Sequence, residues 1–386
     1  MTTTRLSSWL LLAGILAGFL GATWQGHLAA GYSKPSRFGR FHQRISPDTA
    51  YYPPYAMLET LALARWHPGQ TLVIIGGNSV LNGVGQPEDE LWSQRLQEQL
   101  GDAYVVVNLA LRGAAPTQGG ALVAEALLAR GLPVIYVTNT QPVNSTGQAP
   151  GGPYGYLYWQ ARALHRLLPF APRDENIPRW LEARPLPEQH QQEEERRGAR
   201  LEPWFRHQSL WHHVGYRHFF TVWNFVLRGD PFQPRARFPD NEPRAIPVAD
   251  RFQHYLAEEM AIVRGHSASL AVADASGHWR LEEGYRQRLG ADIDQSFVPA
   301  LRPRTLVLLN QNAPYYRERL SPAERERDEL VYAACAEIWR EHGFACVIAG
   351  MDFAPGDYID RAHLSGEGGL KLAFLVADEI RRLNPP

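Results

Sequence analysis

The chain has 386 residues, enough for one large domain or two small ones, and 45% of them are hydrophobic, enough to build a sizeable core. The formal net charge is -1 with both signs interspersed, which excludes the basic stripe of a nucleic-acid binder. Aromatic residues reach 11%, with 11 Trp, a richness that points to an interfacial or sugar-handling surface.

The N-terminal stretch "MTTTRLSSWLLLAGILAGFLGATWQGHLAA" reads as an export signal. Arg5 is a short positive region, and Trp9 to Trp24 form an uncharged apolar segment of about membrane-spanning length. The two Trp bracket it as interface anchors do. A cleavable signal would want a small residue where "HLAA" has Leu28. The expectation is an uncleaved, single-pass signal anchor over residues 1–30, with the body extracytoplasmic on the periplasmic side; a cleaved signal is the alternative. Residues 31–54 form a Pro/Tyr-rich connector, and residues 55–386 the folded domain.

Apolar runs predict strands at Leu72–Ile75, Tyr104–Asn108, Val134–Thr138, Thr305–Leu309 and Ala345–Ala349. Helical patterns precede three of them. "ELWSQRLQEQLG" ends at Gly101 and "GGALVAEALLARGLP" ends similarly at Gly131. "SPAERERDELVYAACAEIWREHGF" starts with Ser321 as N-cap and Glu324 completing a capping box. Strands alternating with helices give an α/β fold with a parallel sheet of about five strands and helices on both faces. Cys335 and Cys346 are the only cysteines. Their placement fits either a disulfide in an oxidising compartment or two buried thiols.

The alternation breaks over residues 143–304, which read as a mostly helical insertion. The charge run "EQHQQEEERRGAR" fits a solvated face. In "WFRHQSLWHHVGYRHFFTVWNFVLRG", Phe219, Val222, Trp223 and Val226 share a helix face, with Arg206, His213 and Arg217 opposite. This segment is expected to lie against a membrane, or a membrane partner, or to roof the cleft; plain packing on the sheet is the alternative. His207, His212, His213 and His218 match no common ligand spacing, so neither a metal nor another cofactor is expected.

Ligands of an open parallel sheet bind outside the carboxyl ends of its strands. Asn78 and Ser79 follow the first strand, Arg112 and Gly113 the second, Asn139 the third. Asn310, Gln311 and Asn312 follow the fourth, and Asp360 and His363 come after the fifth. A serine hydroxyl needs a base, His363, and the base needs an orienting carboxylate, Asp360. A tetrahedral oxyanion needs preset donors, available from the backbone N–H groups of Ser79 and Gly113 and the Asn139 amide. Asn78, Arg112, Asn310 and Asn312 are the candidate substrate-binding residues. An α/β-hydrolase elbow would want Gly where Leu81 stands, and a P-loop would want Lys after the glycines.

The blocks "GGNS", "NLALRG", "VTNT" and "DRAHLSGEGG", in that order, resemble the SGNH (GDSL-type) hydrolase superfamily over Thr71–Thr140 and Thr305–Leu383. Asn78 stands where that family has Asp. Val137 and Thr140 replace the leading Gly and trailing Asp of its third block. These departures resemble the drift of the membrane-anchored relatives that acylate envelope polysaccharides. The resemblance implies a flavodoxin-like three-layer sandwich. It also implies a serine acyl hydrolase or O-acyltransferase acting on an envelope or exopolysaccharide acyl ester. A transferase of this kind would take an acyl-exporting membrane protein as partner. The rival reading is an inactive SGNH-like domain that binds glycan or scaffolds an envelope complex.

Overall fold

The computed structural model describes residues 55–86, 90–143 and 256–383, together with residues 8–18, 20, 21, 157, 161 and 252. The connector at 31–54, the charge run and the aromatic segment Trp204–Gly229 lie outside the described residues. Residues 8–18 are helical, with Trp9, Leu10, Leu11, Ile15 and Leu16 exposed. Among the described residues, no helix is long and apolar enough to cross a membrane.

The first part of the domain runs α1 (Tyr55–Arg65), β1 (Thr71–Ile75), α2 (Ser79–Asn82), α3 (Trp92–Leu100), β2 (Tyr104–Asn108), α4 (Gly120–Ala129) and β3 (Val134–Thr140). After the long intervening segment come α5 (Leu256–Ala268), β4 (Ala271–Ala273), β5 (Trp279–Leu281), α6 (Tyr285–Ser296) and a 3-10 turn at Pro299–Arg304. The chain then completes β6 (Thr305–Asn310), α7 (Pro314–Arg317), α8 (Pro322–Glu341), β7 (Ala345–Ala349) and α9 (Gly366–Leu383). Strands β1, β2, β3, β6 and β7 form one sheet in the order β2-β1-β3-β6-β7, with every neighbouring pair parallel. Ignoring the insertion, this is the 2-1-3-4-5 order of doubly wound sheets, whose direction of travel reverses between β1 and β3. Within the predicted insertion, the described part holds α5, α6 and the 3-10 turn, and adds an antiparallel pair, β4 with β5.

The strands are apolar at successive positions because both faces are covered. Leu72 and Ile74 of β1 belong to the buried cluster on the face of α1, α4 and α8, whereas Val73 and Ile75 belong to the cluster on the face of α3 and α9. Cys335 and Cys346 are both buried and free, and burial pushes the Cys335 thiol up to about 12.

Helix α8 starts as its sequence dictates. Ser321 Oγ accepts from the Glu324 N–H at 3.2 Å, and Glu324 Oε2 accepts from the Ser321 N–H at 2.8 Å. Ser321→Ala is expected to lower the stability of the full chain by about 1 kcal/mol. The urea midpoint measures it, and an unchanged midpoint would mean that the box contributes nothing.

Candidate active site

The reversal between β1 and β3 opens the crevice in which the site is built. Past Ile75, the chain turns through Gly76 and Gly77, the latter at φ +85°. The Gly76 N–H still donates to the Val137 carbonyl at 2.8 Å, so the turn starts from the sheet itself. Asn78 is the N-cap of α2, its Oδ1 accepting from the Val80 N–H at 3.0 Å. Ser79 is the first residue of that helix.

Asn139 lies two residues beyond the Ile75–Val137 pair, level with Gly77. It binds Asn78 twice. Its Oδ1 accepts from the Asn78 N–H at 3.0 Å, and its Nδ2 donates to Asn78 Oδ1 at 2.9 Å. One N–H of that amide remains beyond this pair. The Asn78 N–H and Oδ1 therefore both serve the turn. Three residues that sequence reasoning missed hold the turn from the β2 side. Asn108 Nδ2 and Trp92 Nε1 both donate to the Leu81 carbonyl, at 3.0 and 2.7 Å, and Asn82 Nδ2 donates to the Ala110 carbonyl at 2.8 Å. A polar residue ending a strand was the only signal for Asn108, and nothing local marked the other two.

The loop after β7 returns to this point. Ile359 N–H donates to the His363 carbonyl at 2.9 Å, closing a tight turn around residues 360–362. Asp360 Oδ1 accepts from the Ala362 and His363 N–H groups at 2.9 and 2.8 Å. The carboxylate then meets the His363 ring, with Oδ2 at 2.9 Å from Nδ1, and Nε2 lies 2.8 Å from Ser79 Oγ. Burial works to raise the Asp360 pKa. The charge of His363 and the hydrogen bonds from its ring, its amide and the Ala362 amide outweigh burial and hold the carboxyl at about 2. An ionised carboxylate can only accept, so Nδ1 carries the ring proton and Nε2 is left to accept from the serine hydroxyl.

This depressed acid has a consequence for stability. Its contribution is complete above the ordinary value of 3.8 and is lost as pH falls through about 2. Between pH 5 and pH 2 the full chain should lose about 2 kcal/mol more stability than the Asp360→Asn protein. Urea titrations at the two pH values give the comparison. Equal losses would mean that Asp360 is not held ionised.

Gly113, at φ +74°, sits exposed on the loop after β2, with open space where a side chain would be. Among the described residues, neither the Gly113 N–H nor the Ser79 N–H has a hydrogen-bond acceptor. Arg112 is partly buried beside Gly113. Asn310 and Asn312 are buried, at 6% and 0% exposure. The Asn310 carbonyl accepts from the Tyr332 hydroxyl at 2.8 Å, and Asn312 Oδ1 accepts from Arg361 Nη1 at 2.8 Å. The Asn312 side chain is thus turned to a structural contact rather than to substrate, because the Asp360–His363 turn closes over the end of β6. Asn310 and Gln311 border a cavity with room for about one water, shared with Val80 and Ala362. Among the described residues, no group of three or more His, Cys, Asp or Glu is placed to hold a metal.

No family model and no curated protein matches this chain. Among solved structures, a carbohydrate acetylesterase from Sinorhizobium meliloti aligns at 13% identity over 81% of this chain and 100% of its own, with a TM-score of 0.31. The native aryl esterase of M. smegmatis aligns at 14% identity over 81% of this chain and 99% of its own, with a TM-score of 0.30. Likenesses this slight carry no weight in assigning a role to the site.

Proposed function

We propose that this chain is an SGNH-like serine acyl hydrolase or O-acyltransferase. The observation that carries the reading is the continuous hydrogen-bonded chain Ser79–His363–Asp360 at the carboxyl edge of a parallel sheet. His363 Nε2 takes the proton of Ser79 Oγ as that oxygen bonds to the carbonyl carbon of an acyl ester. The electron pair of the carbonyl moves to its oxygen, which the N–H groups of Ser79 and Gly113 and the remaining Asn139 amide N–H stabilise. The pair returns, the ester C–O bond breaks, and the His363 imidazolium protonates the departing alcohol. Water, or the hydroxyl of an acceptor, then attacks the acyl-serine with His363 again as base. Its proton ends on Ser79 and the acid or new ester leaves.

Water and a sugar hydroxyl use the same residues, so hydrolase and transferase share this site. An acylated envelope glycan is the substrate class that fits the aromatic richness and the family resemblance. The apolar stretch Trp9–Trp24 supports a membrane tether with the site extracytoplasmic. In the transferase case an acyl-exporting membrane protein supplies the donor. The test is to treat the full chain with a fluorophosphonate and to assay 4-nitrophenyl acetate and an acetylated polysaccharide. Labelling at Ser79 with release of acetate is expected. Neither labelling nor turnover would favour the inactive glycan-binding scaffold.

A further inference from the structure

We infer that Glu259, on α5 within the long insertion between β3 and β6, is a positioning residue for the histidine turn and acts through Arg361. The inference rests on the serine chemistry proposed above. Arg361 lies inside the Asp360–His363 turn, so whatever fixes it fixes the frame in which carboxylate and imidazole meet. Its Nε donates to Glu259 Oε2 at 2.7 Å and its Nη1 to Asn312 Oδ1 at 2.8 Å. Its carbonyl accepts from the Ala313 N–H at 2.8 Å. The turn is therefore held from two directions, by α5 and by the segment after β6.

The Glu259 anchor is well placed to transmit position. Arg361 and Glu259 side chains are only 20% and 21% exposed, so solvent screens the pair little, and Asn312 is fully buried. Helix α5 is itself fastened to the core helix α8. Arg327 of α8 donates to Ser267 Oγ at 3.3 Å and to the Arg264 carbonyl at 3.2 Å, and Arg264 pairs with Glu324 at 3.1 Å. A line of contacts thus runs from α8 through α5 and Arg361 to Asp360 and His363. Removing Glu259 frees one arm of the guanidinium fork and leaves its charge with a neutral partner beside the catalytic turn. The two amides that donate to Asp360 belong to the same turn, so they report its rigidity directly.

The test uses the full chain and its Glu259→Ala, Glu259→Gln, Arg361→Ala and doubly substituted Glu259→Ala/Arg361→Ala forms. For Glu259→Ala, kcat on 4-nitrophenyl acetate should fall about 10-fold to 100-fold with KM within about 2-fold. Glu259→Gln, which keeps an oxygen acceptor, should recover most of the rate. The double variant should be no slower than Arg361→Ala alone, since the two residues act as one unit. In Glu259→Ala, amide hydrogen exchange at Ala362 and His363 should quicken while β1 stays protected. Unchanged exchange in that turn, or an unchanged kcat with β1 still protected, overturns the inference, as do additive losses in the double variant. A wild-type chain that neither labels nor turns over, yet shows the faster exchange in Glu259→Ala, sinks the esterase reading and sustains the positioning one.

Discussion

Ser79→Ala is expected to lower ester hydrolysis on the order of 10⁶-fold and to abolish fluorophosphonate labelling. The fold should survive. The Ser79 hydroxyl meets His363, while the turn around it is held by Asn78, Asn82, Asn108 and Asn139. His363→Ala should be equally damaging, because no other base lies within reach of the hydroxyl among the described residues. Asp360→Asn should leave a residue of activity, with a loss on the order of 10⁴-fold. An Asn amide at that position can donate to Nδ1, which would move the ring proton to Nε2 and turn the base away from its task. Full activity in the Ser79→Ala protein would refute the nucleophile assignment, and its midpoint of thermal unfolding should match the wild type.

Gly77→Ala should be a strongly damaging single methyl addition to the site. Gly77 is at φ +85°, where an L side chain costs about 1–2 kcal/mol. The added carbon would also press within contact distance of Asn139 Oδ1 and stand 3.1 Å from the Asn139 N. Asn139 Oδ1 is the acceptor for the Asn78 N–H, so its displacement breaks the reciprocal pair that shapes the turn. Adding a disrupted buried hydrogen bond gives a loss of about 3 kcal/mol. With Ser79 shifted, activity should drop about 100-fold. Gly69→Ala is the control: its φ is +91° but nothing lies within 4 Å of the added carbon. It should cost the backbone strain alone, about 1–2 kcal/mol, with activity intact. Equal behaviour of the two variants in urea and in the ester assay would show that the contact with Asn139 is unimportant.

The sheet was the most legible part of the sequence. A strand buried on both faces is a near-continuous apolar run, so Leu72–Ile75 and Tyr104–Asn108 stand out without periodicity. Ser321 with Glu324 carries a start signal whose two hydrogen bonds are both made. The order of motifs along the chain put Ser79, Gly113, Asp360 and His363 after the carboxyl ends of parallel strands, and Asn139 in β3 itself, one residue before its end. Contacts between residues distant in sequence were not legible. Asn78 and Asn139 are separated by 61 positions and Glu259 and Arg361 by 102, and no local pattern links either pair. Asn312, just after β6, illustrates the same limit. A polar loop looks solvent-facing until another loop, here the one carrying Arg361, closes over it. Helix α1 escaped notice because Tyr55–Arg65 mixes apolar residues around its circumference, and the pair β4–β5 because three-residue strands fall below what alternation can reveal.

The serine and its base are 284 positions apart, and β3 gains its neighbour β6 only after the long insertion. On the ribosome, synthesis proceeds at about 5–20 residues per second. For many seconds the growing chain therefore carries the serine turn without its histidine. Pairings this remote in sequence also close late once the chain is released, since the entropy of a long loop must be overcome first. The hydroxyl stays an ordinary alcohol throughout this period. On the serine chemistry proposed above, a partly made or partly folded molecule would neither acylate itself nor attack esters around it, and turnover would begin only when the remote turn docks.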